Sequence, residues 1–278
     1  MTEDPAPFDL ADPPVIAEVS FSVEGANLNA IVYEAQGAGP HPTLVLLHGF
    51  PGDERNLDLA QSMRRAGWNV VFFHYRGAWG SGGKFSFLHV IEDVHAVVAA
   101  IAEPEFAEAH RVDPSRLALV GHSMGGFAAL VAGAELPEVD CVVSISGANL
   151  GALAEVVRSD PQQAAGFAAR IDGWSGPING PGGRVLIEEV IDNTERFDTR
   201  NHAVDLAKKK LLLVAGERDV VTRPALHHAP LVEALREAGA TSLEHVILEQ
   251  ADHSYSGQRI ALARLVTTWL RRDCGASD

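Results

Sequence analysis

The sequence predicts an α/β fold: a mostly parallel central sheet with helices on both faces, an antiparallel hairpin at its N-terminal end and a small helical lid. Three observations carry this. Continuous apolar runs such as Thr43–Leu47 and Val70–Phe73 alternate with stretches of helical spacing, the rhythm of parallel βαβ units. One run, Leu117–Val120, passes through Gly121-His122-Ser123-Met124-Gly125 into a helix-forming stretch, Ala128–Ala134. After Ile145 the rhythm stops, and strand character returns only at Leu211.

The elements follow in order. Residues 1 to 14 are a Pro/Asp-rich lead-in, expected to be mobile. Ile16–Glu24 and Leu28–Glu34 alternate apolar and polar residues around Gly25-Ala26-Asn27, which predicts a hairpin. Thr43–Leu47 is a buried strand ending in His48-Gly49-Phe50-Pro51-Gly52, and Leu57–Ala66 has helical spacing. Val70–Phe73 runs into the glycine-rich loop Tyr75–Gly83. Phe87–Ala102 is a helix with Val90, Ile91, Val94, Val97, Val98 and Ile101 on its apolar side. Cys141–Ile145 and Leu211–Ala215 are strands, Leu226–Ala238 a helix, Leu243–Leu248 the last strand and Ile260–Arg272 the closing helix.

Between these, Gln162–Ile171 and Val185–Thr194 are helical pieces joined by a Gly/Pro-rich stretch, Gly173–Gly183. The expected organisation is therefore a core of residues 15–149 and 207–273 with a helical lid over 150–206.

Composition narrows the function. A chain of 278 residues with 46% hydrophobic residues can bury a full core. Its net charge of −15 lacks the basic footprint that nucleic acid demands. No run approaches the length of a membrane span, so neither nucleic acid nor membrane is an expected partner. The acidic, proline-containing start lacks the basic and apolar regions of a signal peptide, and the expectation is a soluble cytoplasmic protein. Of two cysteines, Cys141 reads as a small core residue and Cys274 as a terminal thiol, without a disulfide framework. No metal-ligand spacing appears, and Gly77–Gly83 lacks the G-K-S/T ending of a nucleotide loop, so no cofactor is expected.

The segment around Ser123 fits G-x-S-x-G, the strand-turn-helix that lifts a serine Oγ clear of the backbone. A serine hydroxyl is a weak nucleophile, so it needs a base, and the base an orienting acid. Two strand ends downstream supply candidates: Gly216-Glu217-Arg218-Asp219 and Glu249-Gln250-Ala251-Asp252-His253. Asp219 is preferred to Glu217 as the acid, and His253 is the expected base. His48 reads as a structural hydrogen-bonding residue, His122 as pointing away from the serine, and His227 and His228 as helix residues. Asp252 is not paired with His253, because adjacent residues rarely face each other.

Together, His48-Gly49-Phe50-Pro51-Gly52, Gly121-His122-Ser123-Met124-Gly125-Gly126, Gly216-Glu217-Arg218-Asp219 and Asp252-His253 resemble the α/β-hydrolase superfamily from about Ile16 to Arg272. Tyr75-Arg76-Gly77 with its trailing glycines is similar to the serine esterase and prolyl oligopeptidase-like branch, whose propeller domain has no counterpart here.

The resemblance implies a serine hydrolase using Ser123, His253 and Asp219. Its oxyanion hole would come from the backbone N–H groups of Phe50 and Met124. Trp79, Phe167, Trp174 and Ile178 are candidate pocket walls. The expected reaction is hydrolysis of small to medium carboxylic esters, with a small-molecule ester as partner and a homodimer left open. The alternatives are amide or short-peptide hydrolysis, carbon–carbon bond hydrolysis, and a non-catalytic receptor on the same fold.

Overall fold

A computed structural model describes residues 9–174 and 176–275. The first eight residues of the lead-in lie outside that range. The rest of it is tied down: Gly37 N–H donates to Asp12 O at 2.8 Å.

Eight strands form one sheet in the order β1-β2-β4-β3-β5-β6-β7-β8. They are β1 (Val15–Val23), β2 (Ala26–Glu34), β3 (His41–Leu47), β4 (Asn69–Phe73), β5 (Val112–His122), β6 (Val139–Ile145), β7 (Lys210–Gly216) and β8 (Leu243–Leu248). The pairs β1–β2 and β2–β4 are antiparallel, and every other pair is parallel. The first hairpin closes with Val23 opposite Ala26. Its turn is thus the two residues Glu24-Gly25, tighter than the expected Gly25-Ala26-Asn27. Both have positive φ, 48° and 80°, which matches the twist of the paired strands.

The helices are α1 (Leu57–Arg65), α2 (Phe87–Ala102), α3 (Pro104–Ala109), α4 (Met124–Glu135), α5 (Leu150–Ser159), α6 (Pro161–Trp174), α7 (Gly183–Asp192), α8 (Thr194–Phe197), α9 (Ala203–Leu206), α10 (Pro224–His227), α11 (Ala229–Glu237) and α12 (Arg259–Trp269). Two cores result, one on each face of the sheet. Val94, Phe127 and Leu231 of α2, α4 and α11 pack on one face. Leu59 and Met63 of α1 and Leu262 and Val266 of α12 pack on the other.

The second core holds a correction. Cys141 and Cys274 form a disulfide, with Cα atoms 6.3 Å apart, where the sequence suggested a core residue and a free terminal thiol. A single π-helical turn, Leu270–Cys274, follows α12 and brings Cys274 back onto β6. A pairing across 133 residues leaves no local trace in the sequence.

Residues 150–206 carry α5 to α9 and join the core at several points. Ile178 bridges Ala78 of the glycine-rich loop, and Trp79 N–H donates to Pro177 O at 2.9 Å. From α7, the Glu189 carboxylate accepts the N–H groups of Phe87 and Leu88 at 2.9 and 3.1 Å. These donors open α2 and have no partner within their own helix.

Candidate active site

Parallel register brings the carboxyl ends of five strands to one edge, where Leu47 faces Gly121, His122 faces Ile145 and Gly216 faces Leu248. Ser123 follows β5 directly and starts α4. Its backbone is in a rare region, φ 59° and ψ −117°, where the surrounding structure must hold it. The N–H of Ser123 donates to Ile145 O and its carbonyl accepts from Ala148 N–H, at 2.9 and 3.0 Å. The two motif glycines have a steric reason. A Cβ on Gly121 would lie 2.0 Å from Gly125 O, and one on Gly125 2.1 Å from Leu47 O.

His253 lies in the loop after β8, with Nε2 3.1 Å from Ser123 Oγ. Its Nδ1 lies 2.8 Å from Asp219 Oδ2 in the turn after β7. A carboxylate only accepts, so Nδ1 carries the proton and Nε2 is free to accept from the serine. Asp219 is fully buried at its side chain. Burial opposes its charge. The hydrogen bond and charge of His253, with Thr222 and Ser146, outweigh that and hold the carboxyl well below the usual range. Glu217 lies apart, accepting the Gln250 N–H at 2.9 Å.

Residues that the sequence did not single out complete the support. Thr222 donates its N–H to Asp219 Oδ1 at 2.9 Å, and its hydroxyl lies 2.8 Å from Oδ2. The spacing Asp-x-x-Thr is a local turn signal, but one shared by many loops that does not by itself mark a site. Ser146, at φ 45°, meets the buried Tyr255 hydroxyl at 2.9 Å. That contact spans 109 residues and was out of sight in the sequence.

Two other histidines beside the site, His122 and His48, have structural partners. His122 makes no bond to Ser123; its Nε2–H donates to the His253 carbonyl at 2.8 Å, with the two rings 4.8 Å apart. His48 Nδ1–H donates to Gly49 O at 2.7 Å, which leaves its Nε2 to accept from His74 Nδ1 at 3.2 Å. Burial, then the neighbouring His74, push His48 down to about 3, so it stays neutral. Because the Gly49 carbonyl is held by that ring, the Phe50 N–H of the same trans peptide faces the opposite way. Neither Phe50 N–H nor Met124 N–H has a protein acceptor among the described residues.

Ser123 and His253 open into a cavity of about 520 Å³. Phe167 and Trp174 of α6 line it, as do Leu153 of α5 and Ile187 of α7. Two expected walls do not. Trp79 packs behind the loop after β3: its Nε1–H donates to Pro51 O at 2.8 Å, its ring stacks on His74, and the Arg55 guanidinium lies 4.0 Å above it. Ile178 is held away by its bridge to Ala78.

The family model described as "Prolyl oligopeptidase family" matches residues 57–277. The chain belongs to the prolyl oligopeptidase family. As a member it is a serine hydrolase, and its fold is that of the α/β-hydrolases. Est1E from Butyrivibrio proteoclasticus, solved with ferulic acid bound, superimposes with a TM-score of 0.73 at 18% identity, over 93% of this chain and 100% of that one. The Pyrococcus furiosus esterase Pf2001 gives a TM-score of 0.67 at 18% identity, over 98% and 99%. At such identities the likeness is one of fold. An Escherichia coli protein described as "Uncharacterized 31.7 kDa protein in traX-finO intergenic region" is 33% identical over 112 residues. That segment is 39% of this chain and spans 38% of the length of the relative.

Proposed function

We propose that this serine hydrolase cleaves carboxylic esters of small to medium acyl chains through an acyl-enzyme. The observation that carries the reading is the continuous hydrogen-bond path from Ser123 Oγ through His253 to the buried Asp219. In this reading, Ser123 Oγ attacks the ester carbonyl while His253 Nε2 takes its proton. Asp219 keeps the imidazole in the Nδ1–H form and offsets the imidazolium charge. His253 then returns the proton to the leaving alcohol. Water, deprotonated by the same nitrogen, releases the acid and restores Ser123.

The N–H groups of Phe50 and Met124 are the proposed oxyanion donors, each worth roughly 3 kcal/mol in the transition state. Met124 N–H is an open donor at the start of α4, where the helix dipole adds to the effect. Residues 150–206 act as a lid on a core of 15–149 and 207–273, because α5, α6 and α7 roof the cavity.

The family description favours a second reading, hydrolysis of amides or short peptides. A panel of chromogenic acyl esters, amides and aminoacyl anilides separates the two. Ester turnover well above anilide turnover is expected, with Ser123→Ala losing both turnover and labelling by a fluorophosphonate. Retained labelling in that variant would overturn the nucleophile, and faster anilide cleavage would overturn the ester preference.

Among the described residues, no helix is long and apolar enough to cross a membrane. Disulfides persist in oxidising surroundings, so the Cys141–Cys274 bond counts against the cytoplasmic placement expected from sequence.

A further inference from the structure

The cavity is lined by charged side chains of both signs, drawn from separate segments of the chain. Four arginines of residues 150–206 are engaged elsewhere: Arg158 by Ile191 O and Thr194 Oγ1, Arg184 by Glu188, Arg196 by Glu135, and Arg200 by Asp198 and Glu155. Arg170 has no hydrogen-bond or carboxylate partner among the described residues, and of these five arginines it is the one that lines the cavity. It stands on the α6 face that also carries Gln163, Phe167, Ile171 and Trp174 toward the cavity. Its guanidinium carbon lies 5.6 Å from the Phe167 ring centroid and 5.8 Å from that of Trp174, which keeps the head beside apolar surface.

Two further donors line the cavity. Arg223, just before α10, has a guanidinium without a protein partner among the described residues. His227, one turn further on, is only 9% exposed. Its Nδ1 accepts the Asn149 N–H at 2.9 Å, so its proton sits on Nε2, where no protein acceptor meets it among the described residues. Burial, and then the charges of Arg223 and His253 against that of Asp219, bring His227 down to about 4, which leaves it a neutral donor. Carboxylates also line the cavity, but from the loop after β3: Asp53 and Glu54, the latter accepting the Asn56 N–H.

We propose that the cavity selects esters carrying a second, anionic carboxylate group, as a dicarboxylic acid monoester does, and that Arg170, Arg223 and His227 bind that carboxylate. A guanidinium binds carboxylate through paired N–H groups, and a buried neutral imidazole adds a donor at no cost in charge. Asp53 and Glu54, which line the cavity from the loop after β3, repel the same group and so disfavour its placement beside them. The apolar side chains of Leu153, Ile187 and Val190 suit a short hydrocarbon spacer between the two carboxyl groups. This substrate class rests on the ester-hydrolase reading, and its test is independent of turnover.

The test is calorimetric titration of the Ser123→Ala protein at low salt with monomethyl adipate and with methyl hexanoate, esters of equal acyl length that differ by the distal carboxylate. Monomethyl adipate is expected to bind about tenfold more tightly, the worth of one charge-assisted hydrogen bond. Adding Arg170→Ala or Arg223→Ala should remove most of that advantage and leave methyl hexanoate binding in place. Arg264→Ala, on the exposed side of α12, should keep it. The advantage should also shrink as salt rises. Equal affinity for the two esters, absence of monomethyl adipate binding, or an advantage that survives both arginine changes would overturn the proposal. Failure of ester hydrolysis itself would show separately, as loss of turnover and of fluorophosphonate labelling in the wild type.

Discussion

Asp219 has both oxygens occupied. Oδ1 accepts from Val221 and Thr222 N–H, and Oδ2 from His253 Nδ1 with the Thr222 hydroxyl beside it. Asp219→Asn would present an amide to His253 and favour the wrong tautomer, so turnover should fall by about 10⁴. Glu217→Gln keeps an acceptor for the Gln250 N–H and touches neither His253 nor Ser123, so its turnover should stay within a fewfold of wild type. Steady-state rates of the two variants decide, and the reverse ranking would remove Asp219 from its role. The sequence offered Ser123, Asp219 and His253 because each stands at a strand end and the three follow in a telling order. Thr222, Ser146, Tyr255 and His227 were not legible as site residues. Three of them work through contacts between distant segments, and the Asp219–Thr222 turn looks like any other.

At the scale of elements, α6 has no buried residue, yet presents Phe167 and Trp174 to the cavity. It contributes surface to the cavity and little to the core. Phe167→Ala and Trp174→Ala should therefore change acyl-chain preference more than stability. The measurement is the ratio of kcat/KM for octanoyl and acetyl esters, which should fall severalfold while Tm moves by no more than about 2 °C, within the range of a surface change. Unchanged ratios in both variants would mean that α6 does not read the acyl chain. The break in rhythm after Ile145 made this segment visible in the sequence, but α5 within it went unseen. The single helix expected over Leu226–Ala238 is two, α10 and α11. Pro230 has no N–H to return to Leu226 O, and its ring crowds that carbonyl. Trp79 and Ile178 looked like pocket walls because they are apolar residues in glycine-rich loops. Where such loops dock is set by tertiary packing.

Across the whole molecule, the acid response should come from histidines before carboxylates. Burial, as the largest cause in each case, lowers His48 to about 3 and His74, His122, His227 and His228 to about 4. An unfolded imidazole titrates near 6.5. Between about pH 6.5 and 4 the unfolded chain thus binds protons that the folded one refuses, and stability falls as pH falls through that window. Glu135, held down to about 2 by His95 and Arg196 against the opposing effect of burial, adds its loss only below about 4.5. Thermal unfolding at pH 7, 6 and 5 should show Tm declining at each step. A flat Tm down to pH 5 would mean that these rings are protonated in the folded state. Sheet topology and the two-faced core were readable from the apolar rhythm.

The covalent link between Cys141 and Cys274 has a consequence for a broken chain. Ser123 lies ahead of Cys141, while Asp219 and His253 lie between the two cysteines. A protease that nicks α6 would put the proposed nucleophile on one fragment and its two proposed helpers on the other. The fragments would remain one molecule, joined by the sulfur bridge and by the paired backbones of β6 and β7. A nicked sample should run as a single full-size band without reductant and as two bands with it, and should still turn over ester until it is both reduced and denatured. Damage to the roof of the cavity would then be silent in an oxidising setting and exposed by a thiol.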